Sequence, residues 1–433
     1  MRLPLLLLVV QLSLAAYISS IIFSMGVVEW AAPEHFFDTD SERVTRDIAA
    51  RPPHMTRETA LHPFQTLLTF PITGILRRLF ETISGSASFS ADLAAQAYTL
   101  GMYGLASVLL YHFAVASGHS TRLACLVTAF ATTSFSLLTF GIVPESHFFG
   151  SVGTLMMLYA LRFSPPRLTL FFLGWFVGVG QLISNLFIGF SGILCVVGER
   201  GAKALPSKIC EILRLMSIFL AILVFAALAQ KWLYSTGFEF SLRAARAETY
   251  WAPTIQKMHT GEYYLSRLKL FIFHFLLGNI ICWDPTVSIK GLYGKIVMGN
   301  SPALTFNPTP LLIIHCAVYL YTLSESVLGV IREWRRERML LTFIALSGAY
   351  LFLLHFFYGY NFFLYSPSWT VLLFAFIILG LSNALRRIPV WRRNLLVLCI
   401  CIATTLQVWV NAEAVLATRP GGSAGAITVG RQS

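Results

Sequence analysis

The sequence predicts an all-α polytopic membrane protein, a bundle of about eleven transmembrane helices with a further helix in the first outer loop. Three observations lead there. The 433 residues are 56% hydrophobic and only 12% charged, against about 25% charged in ordinary globular chains. Their mean hydropathy is +0.69, more apolar surface than a soluble core can hide. The apolar residues also fall into runs long enough to approach or cross about 30 Å of hydrocarbon.

Taken in order, these runs are 3–28, 93–116, 123–143, 148–162, 168–182, 183–198, 209–229, 264–283, 308–331, 340–358, 370–385 and 394–412. The first follows Met1-Arg2 and is too long for a signal-peptide core, so it reads as a retained helix. The runs on either side of Ser184-Asn185 are short. Arg162 and Arg167 precede them, while Arg200, Lys203 and Lys208 follow. If both clusters share a face, the chain crosses an even number of times between them, which favours two helices over one long tilted one. The run 264–283 contains Arg267 and Lys269 and ends at Trp283-Asp284-Pro285, so it is read as re-entrant or interface-lying. The other eleven runs then bring the REWRRER and RRIPVWRR clusters to the cytoplasmic side as well. The net charge of +12 is therefore a signal of membrane orientation, and no nucleic-acid partner is expected.

A single transmembrane domain is expected over 1–412, with outer loops 29–92 and 230–307, followed by a short flexible tail, 413–433. In the first loop Phe64, Leu67, Leu68, Ile72, Ile75, Leu76 and Leu79 recur at helical spacing. They predict an interfacial helix with its apolar face in lipid, kinked or restarted at Pro71. Its Arg77 and Arg78 either bind a lipid phosphate or anchor the helix to ordinary headgroups. Seven cysteines lie mostly in apolar runs without CxxC spacing and read as small buried hydrophobes. No heptad, Walker sequence or dinucleotide glycine pattern is present, and no internal repeat is strong enough to argue a transporter-style inverted pair.

The chemistry-bearing residues crowd toward one face. Asp38 and Asp40 follow Phe36-Phe37 just beyond the first helix. Two carboxylates at that spacing can hold a divalent cation such as Mg or Mn, or one can act as base while the other orients it. His62-Pro63 heads the interfacial helix, where proline suits the first turn and His62 is catalytic, substrate-binding or a cap. Pro144-Glu145-Ser146-His147 is a short turn between apolar runs, and a carboxylate there is costly unless wet or paired. Glu325 is read on the same grounds as a paired structural acid outside the site. Tyr365 and Ser366 lie in the outward turn GYNFFLYSPSW, where aromatic rings stack on a sugar or simply form an interface belt.

An Asp-x-Asp after helix one, a His-Pro leading into an in-plane helix, a Pro-Glu turn after helix three and a late Tyr-Ser turn together resemble the GT-C superfamily of membrane glycosyltransferases. The closest resemblance is to bacterial relatives of the protein-mannosyltransferase and lipid A aminoarabinose transferase group. It covers about residues 1–200 and rests on topology beyond them. The resemblance implies a polyprenyl-phosphate-linked sugar donor, a glycan, lipid or protein acceptor, and inversion at the anomeric carbon. It also implies a bacterial cytoplasmic membrane with the site facing the periplasm or exterior. Asp38 or Asp40 matches the first-loop acid that activates the acceptor or organises the site, His62 the His-Pro position, and Glu145 the acidic turn residue. Substrate-binding candidates are His62, His147, Tyr365, and the cations Arg77, Arg78, Arg243, Arg246, Arg267 and Lys269 for the leaving phosphate. The residues after 412 are too few for the sizeable C-terminal soluble domain of many members, which leaves the acceptor class open. Rival readings are a transporter or flippase, which predicts charges deep in the bundle and repeat symmetry, and a non-catalytic scaffold.

Overall fold

A computed structural model describes residues 2–24, 44–45, 48–49, 62–199, 205–234, 261–282, 285–290, 295–300, 309–357 and 365–417. The chain is an all-α polytopic membrane protein with, among the described residues, one short hairpin, β1 (Pro285–Lys290) antiparallel to β2 (Lys295–Asn300). Among the described residues, seven helices are long and apolar enough to cross a membrane, or eight with one bent pair. They are α1 (Arg2–Ser24), α3 (Ala87–Ala116), α9 (Leu205–Tyr234), α11 (Pro310–Glu333), α12 (Arg338–Phe357), α13 (Ser366–Leu385) and α14 (Val390–Ala417), with the bent pair α4 (Thr121–Thr132) and α5 (Phe135–Ile142). Three more apolar helices, α6 (Ser146–Leu161), α7 (Leu168–Gln181) and α8 (Asn185–Glu199), have 16, 14 and 15 residues. At 1.5 Å per residue they reach only about 21–24 Å. Each of the eleven expected runs thus carries a helix, but three of those helices are too short to cross about 30 Å of hydrocarbon alone.

The single run 123–143 needs correction. Hydropathy continues through Thr132-Thr133-Ser134, yet the backbone breaks there and α4 and α5 meet at 73°. A break inside a membrane frees backbone N–H and C=O groups that lipid cannot satisfy. Here Phe135 N–H donates to the Ile280 carbonyl at 2.8 Å and Ser136 N–H to the Asn279 carbonyl at 2.9 Å. The Asn411 amide donates to the carbonyls of Thr133 (2.9 Å) and Ile280 (3.0 Å). The run 264–283 forms α10 (Gly261–Phe273) and a π-helical turn (His274–Gly278), and its end satisfies this break. Further polar ties come from Gln11 of α1 to Thr132 Oγ1 (2.7 Å) and from Thr133 Oγ1 to Gln407 of α14 (2.9 Å).

Ser184-Asn185 does separate two helices. Trp175 packs on Gly189, Phe171 on Gly192, and Gly178 on Asn185, so partner numbers rise on one helix as they fall on the other. α7 and α8 are therefore antiparallel. The Trp175 indole N–H donates to the Leu186 carbonyl and the Asn185 amide to the Gly178 carbonyl, closing the turn. α6 lies against α7 backbone to backbone, where a methyl at Gly153 would stand 2.5 Å from the Gly174 carbonyl oxygen.

The helix expected in the first loop is α2 (Gln65–Ser84), which runs unbroken through Pro71 and ends at Gly85, whose φ of 69° suits glycine. Its buried residues are Gln65, Thr66, Thr69 and Thr73, while Ile72, Ile75, Leu79 and Ile83 are exposed. Ile72, Ile75, Leu79 and Ile83 thus face outward, as a lipid-facing helix requires, whereas Leu76 and Phe80 pack on the core and Phe64, expected on the lipid face, is buried beneath the helix start.

Two ends of the bundle differ in chemistry. At one end Arg162 pairs with Glu337 (3.5 Å), Arg387 with Glu333, and Arg386 reaches the Ser117 carbonyl (3.4 Å). The basic loops 162–167, 332–338 and 386–389 therefore share one face. Glu325 is paired with Arg392 of α14 (Nε, 3.1 Å), toward this same end.

Candidate functional site

The opposite end gathers residues from four distant segments. Glu145 caps the N-terminus of α6, accepting from the Ser146 hydroxyl at 3.1 Å and the His147 N–H at 3.4 Å. Its side chain is 1% exposed, and a carboxylate at a helix N-terminus meets the positive end of the helix dipole. The His147 ring stands edge-on to Tyr365 at 4.8 Å, and Tyr365 stacks on His355 at 4.2 Å. His355 meets Trp369 edge-on at 5.5 Å. The Arg267 guanidinium donates to the carbonyls of His355 (2.9 Å) and Phe356 (2.6 Å), closing the last turn of α12. Ser366 donates to Ser136 Oγ at 2.7 Å, and the Asn279 amide to Thr370 Oγ1 at 2.8 Å, so the α4–α5 break underlies the cluster.

His62 lies at the same end. Its Nδ1 meets the Gln181 carbonyl at the end of α7, the Phe64 N–H donates to the Gly180 carbonyl, and Gln230 of α9 holds the Pro63 carbonyl at 3.1 Å. α7 ends beside the first turns of α6, where Gly150 approaches Leu182 and Asn185. The short helices set the depth of this end. α6 rises about 24 Å from the basic face, whereas the 30 residues of α3 span about 45 Å. Glu145 thus sits well below the level that α3 reaches.

Of the residues expected from sequence, Glu145, His147 and Tyr365 form one cluster, with Arg267 joined to it through His355 and with His62 at the same end. Arg77 donates to the Ala49 carbonyl at 3.3 Å and Arg78 is exposed, both about 18 Å farther along α2 than Gln65. Lys269 is exposed on α10. Asp38, Asp40, Arg243 and Arg246 lie outside the described residues, and so does any cation the two aspartates hold. Among the described residues no three His, Cys, Asp or Glu side chains gather to bind a metal.

Sequence reasoning missed His355 and Gln181. Both are buried, and His355 Nδ1 and both amide atoms of Gln181 have no partner among the described residues. The signal for His355 was a lone histidine near the end of the apolar run 340–358. Gln181 ends an apolar helix in the same way.

No protein-family model matches the chain, and no curated protein does. Among solved structures it is similar to the archaeal oligosaccharyltransferase AglB from Archaeoglobus fulgidus in complex with an inhibitory peptide and a dolichol-phosphate. There the identity is 14% and the TM-score 0.47. It is also similar to the A. fulgidus oligosaccharyltransferase in the apo form, at 12% identity and a TM-score of 0.48. Each likeness covers 95% of this chain and 56% of the other, so the chain spans little more than half their length.

Proposed function

We propose that the chain is a membrane glycosyltransferase of the GT-C kind. It moves a sugar from a polyprenyl-phosphate donor to a hydroxyl of a lipid, glycan or protein, at the membrane face opposite the basic loops. The observation that carries this reading is the buried Glu145 carboxylate at the α6 N-terminus, grouped with His147, Tyr365 and His355 from separate helices. In a bacterial cytoplasmic membrane that face is the periplasmic one.

The chemistry is a single displacement. A first-loop carboxylate, Asp40 with Asp38 beside it, takes the proton from the acceptor hydroxyl. The acceptor oxygen attacks the anomeric carbon, the bond from that carbon to the phosphate oxygen breaks, and the lipid phosphate leaves with the electron pair. Inversion follows from one displacement. Glu145 orients the acceptor, and the His147–Tyr365 pair offers ring faces and edges to the sugar. The departing phosphate needs cations. Lys269, exposed on α10, is assigned to that task together with Arg243, Arg246, Arg77 and Arg78. Arg267 instead holds the end of α12 and so positions His355.

Purified full-length Asp38→Asn, Asp40→Asn and Glu145→Gln proteins, assayed for sugar transfer from a polyprenyl-phosphate donor, test the reading. Asp40→Asn or Asp38→Asn is expected to lose about 10²–10⁴-fold in turnover, the usual contribution of a general base, with an unchanged thermal midpoint. Wild-type turnover in all three variants would refute it.

A further inference from the structure

The basic face holds a cavity of about 330 Å³ that the proposed transfer reaction does not use. Its walls come from the end of α6, the turn after it, the end of α8 and the start of α12. Leu161, Val196, Met339 and Leu340 make one side apolar, while Arg162, Arg336, Glu337 and Glu199 line the other. That volume falls at the small end of the range for ligand pockets, about 300–1,000 Å³.

We propose that this cavity binds the headgroup of a phosphatidylethanolamine-type lipid, with the phosphate on the Arg336 side and the ammonium on Glu199. The position favours an amphiphile, because the cavity opens where apolar helices end and charged loops begin. The charges favour a zwitterion. Glu337 is 4% exposed and sits 3.5 Å from Arg162 and 3.9 Å from Arg336, so two cations share one carboxylate. That group keeps one uncompensated positive charge, and exposed Glu199 supplies a separate negative one. A phosphate alone would meet Glu199 as a like charge, and a primary ammonium can donate hydrogen bonds to it where a trimethylammonium cannot.

The cationic side is built before any ligand arrives. Arg162 Nε donates to Ser117 Oγ at 3.1 Å, and the Ser117 carbonyl accepts from Ser382 and from Arg386 at 3.4 Å. Burial pushes the Arg162 guanidinium below its usual range; Glu337 opposes that, and Arg336 and Arg386 add to it. A phosphate in the cavity would relieve the crowding of cations.

The test is competitive lipid retention by the full chain in detergent, read by native mass spectrometry. Equimolar short-chain phosphatidylethanolamine, phosphatidylglycerol and phosphatidylcholine are offered together. The wild type is expected to retain phosphatidylethanolamine about fivefold over either of the others, the scale of one partly exposed charge pair. Glu199→Gln should erase the preference over phosphatidylglycerol, and Arg336→Gln should weaken retention of both. Both residues are solvent-facing, and a thermal midpoint equal to wild type confirms that the variants fold. Equal retention of the three lipids, or a preference untouched by both substitutions, would overturn the proposal. So would full displacement of the lipid by soluble phosphoethanolamine at matched concentration, which would make the ligand a soluble one.

Discussion

His119 shows how a single side chain couples this fold to pH. It lies in the turn after α3, 7% exposed, with its ring nitrogen 2.8 Å from the Ile378 carbonyl. Burial lowers its pKa to about 4; the Ile378 hydrogen bond works against that and the Arg386 charge adds to it. The folded value lies below the unfolded one of about 6.5, so the unfolded chain binds the proton first. The stability is therefore whole above about pH 6.5 and is lost as pH falls toward about 4, by at most about 1.4 kcal/mol per pH unit. Thermal unfolding in detergent between pH 5 and 7.5 should show this slope, and His119→Gln should flatten it. An equal slope in the variant would assign the pH dependence to other groups. Glu145 makes the contrasting point. Its residue type and its turn were legible in sequence, but not its burial or the ring cluster at its side.

Among the elements, the short helices depend most on close approach. α6 and α7 touch through Gly153, Gly174 and Gly178, and α11 and α13 through Gly329 and Gly380. Small residues allow membrane helices to pack where the hydrophobic effect does not drive them together. The neighbours of Gly153 are backbone atoms, which cannot rotate away as a side chain can. Gly153→Ala is therefore expected to lower stability by about 1–3 kcal/mol, the usual cost of overpacking. Chemical denaturation in detergent would measure it, and an unchanged midpoint would mean that α6 and α7 separate without cost. Glycine content was visible in the sequence. Which glycine meets which was not, because the contact depends on α7 folding back beside α6.

For the whole molecule, the separation of a basic end from the Glu145 end makes a topological prediction. With the native cysteines removed, Ser164→Cys, Trp334→Cys and Pro389→Cys should label with an impermeant maleimide from one side of sealed vesicles. Asp47→Cys in the first loop should label from the other. Labelling of Trp334→Cys from the same side as Asp47→Cys would invert the orientation read for the chain after 264–283. The ion pairs joining these loops already bring three of the clusters onto one face.

The apolar runs, the one-sided basic clusters, the paired Glu325 and the outward-facing Ile72 and Ile75 of α2 followed from sequence alone. Lipid and headgroups act on each segment separately, so composition and period suffice to read them. The tertiary structure decided three other features: the 73° break at Thr133, the backbone contact of α6 with α7 at Gly153, and the meeting of Glu145 with Tyr365 and His355. Each depends on partners far away in the chain. Asn411 and Ile280 satisfy the freed backbone of a break that hydropathy passes over, and Ser366 bonds Ser136 across 230 residues. A local pattern carries no trace of such a partner, because a buried polar group needs only that one be present, not that it be near in sequence.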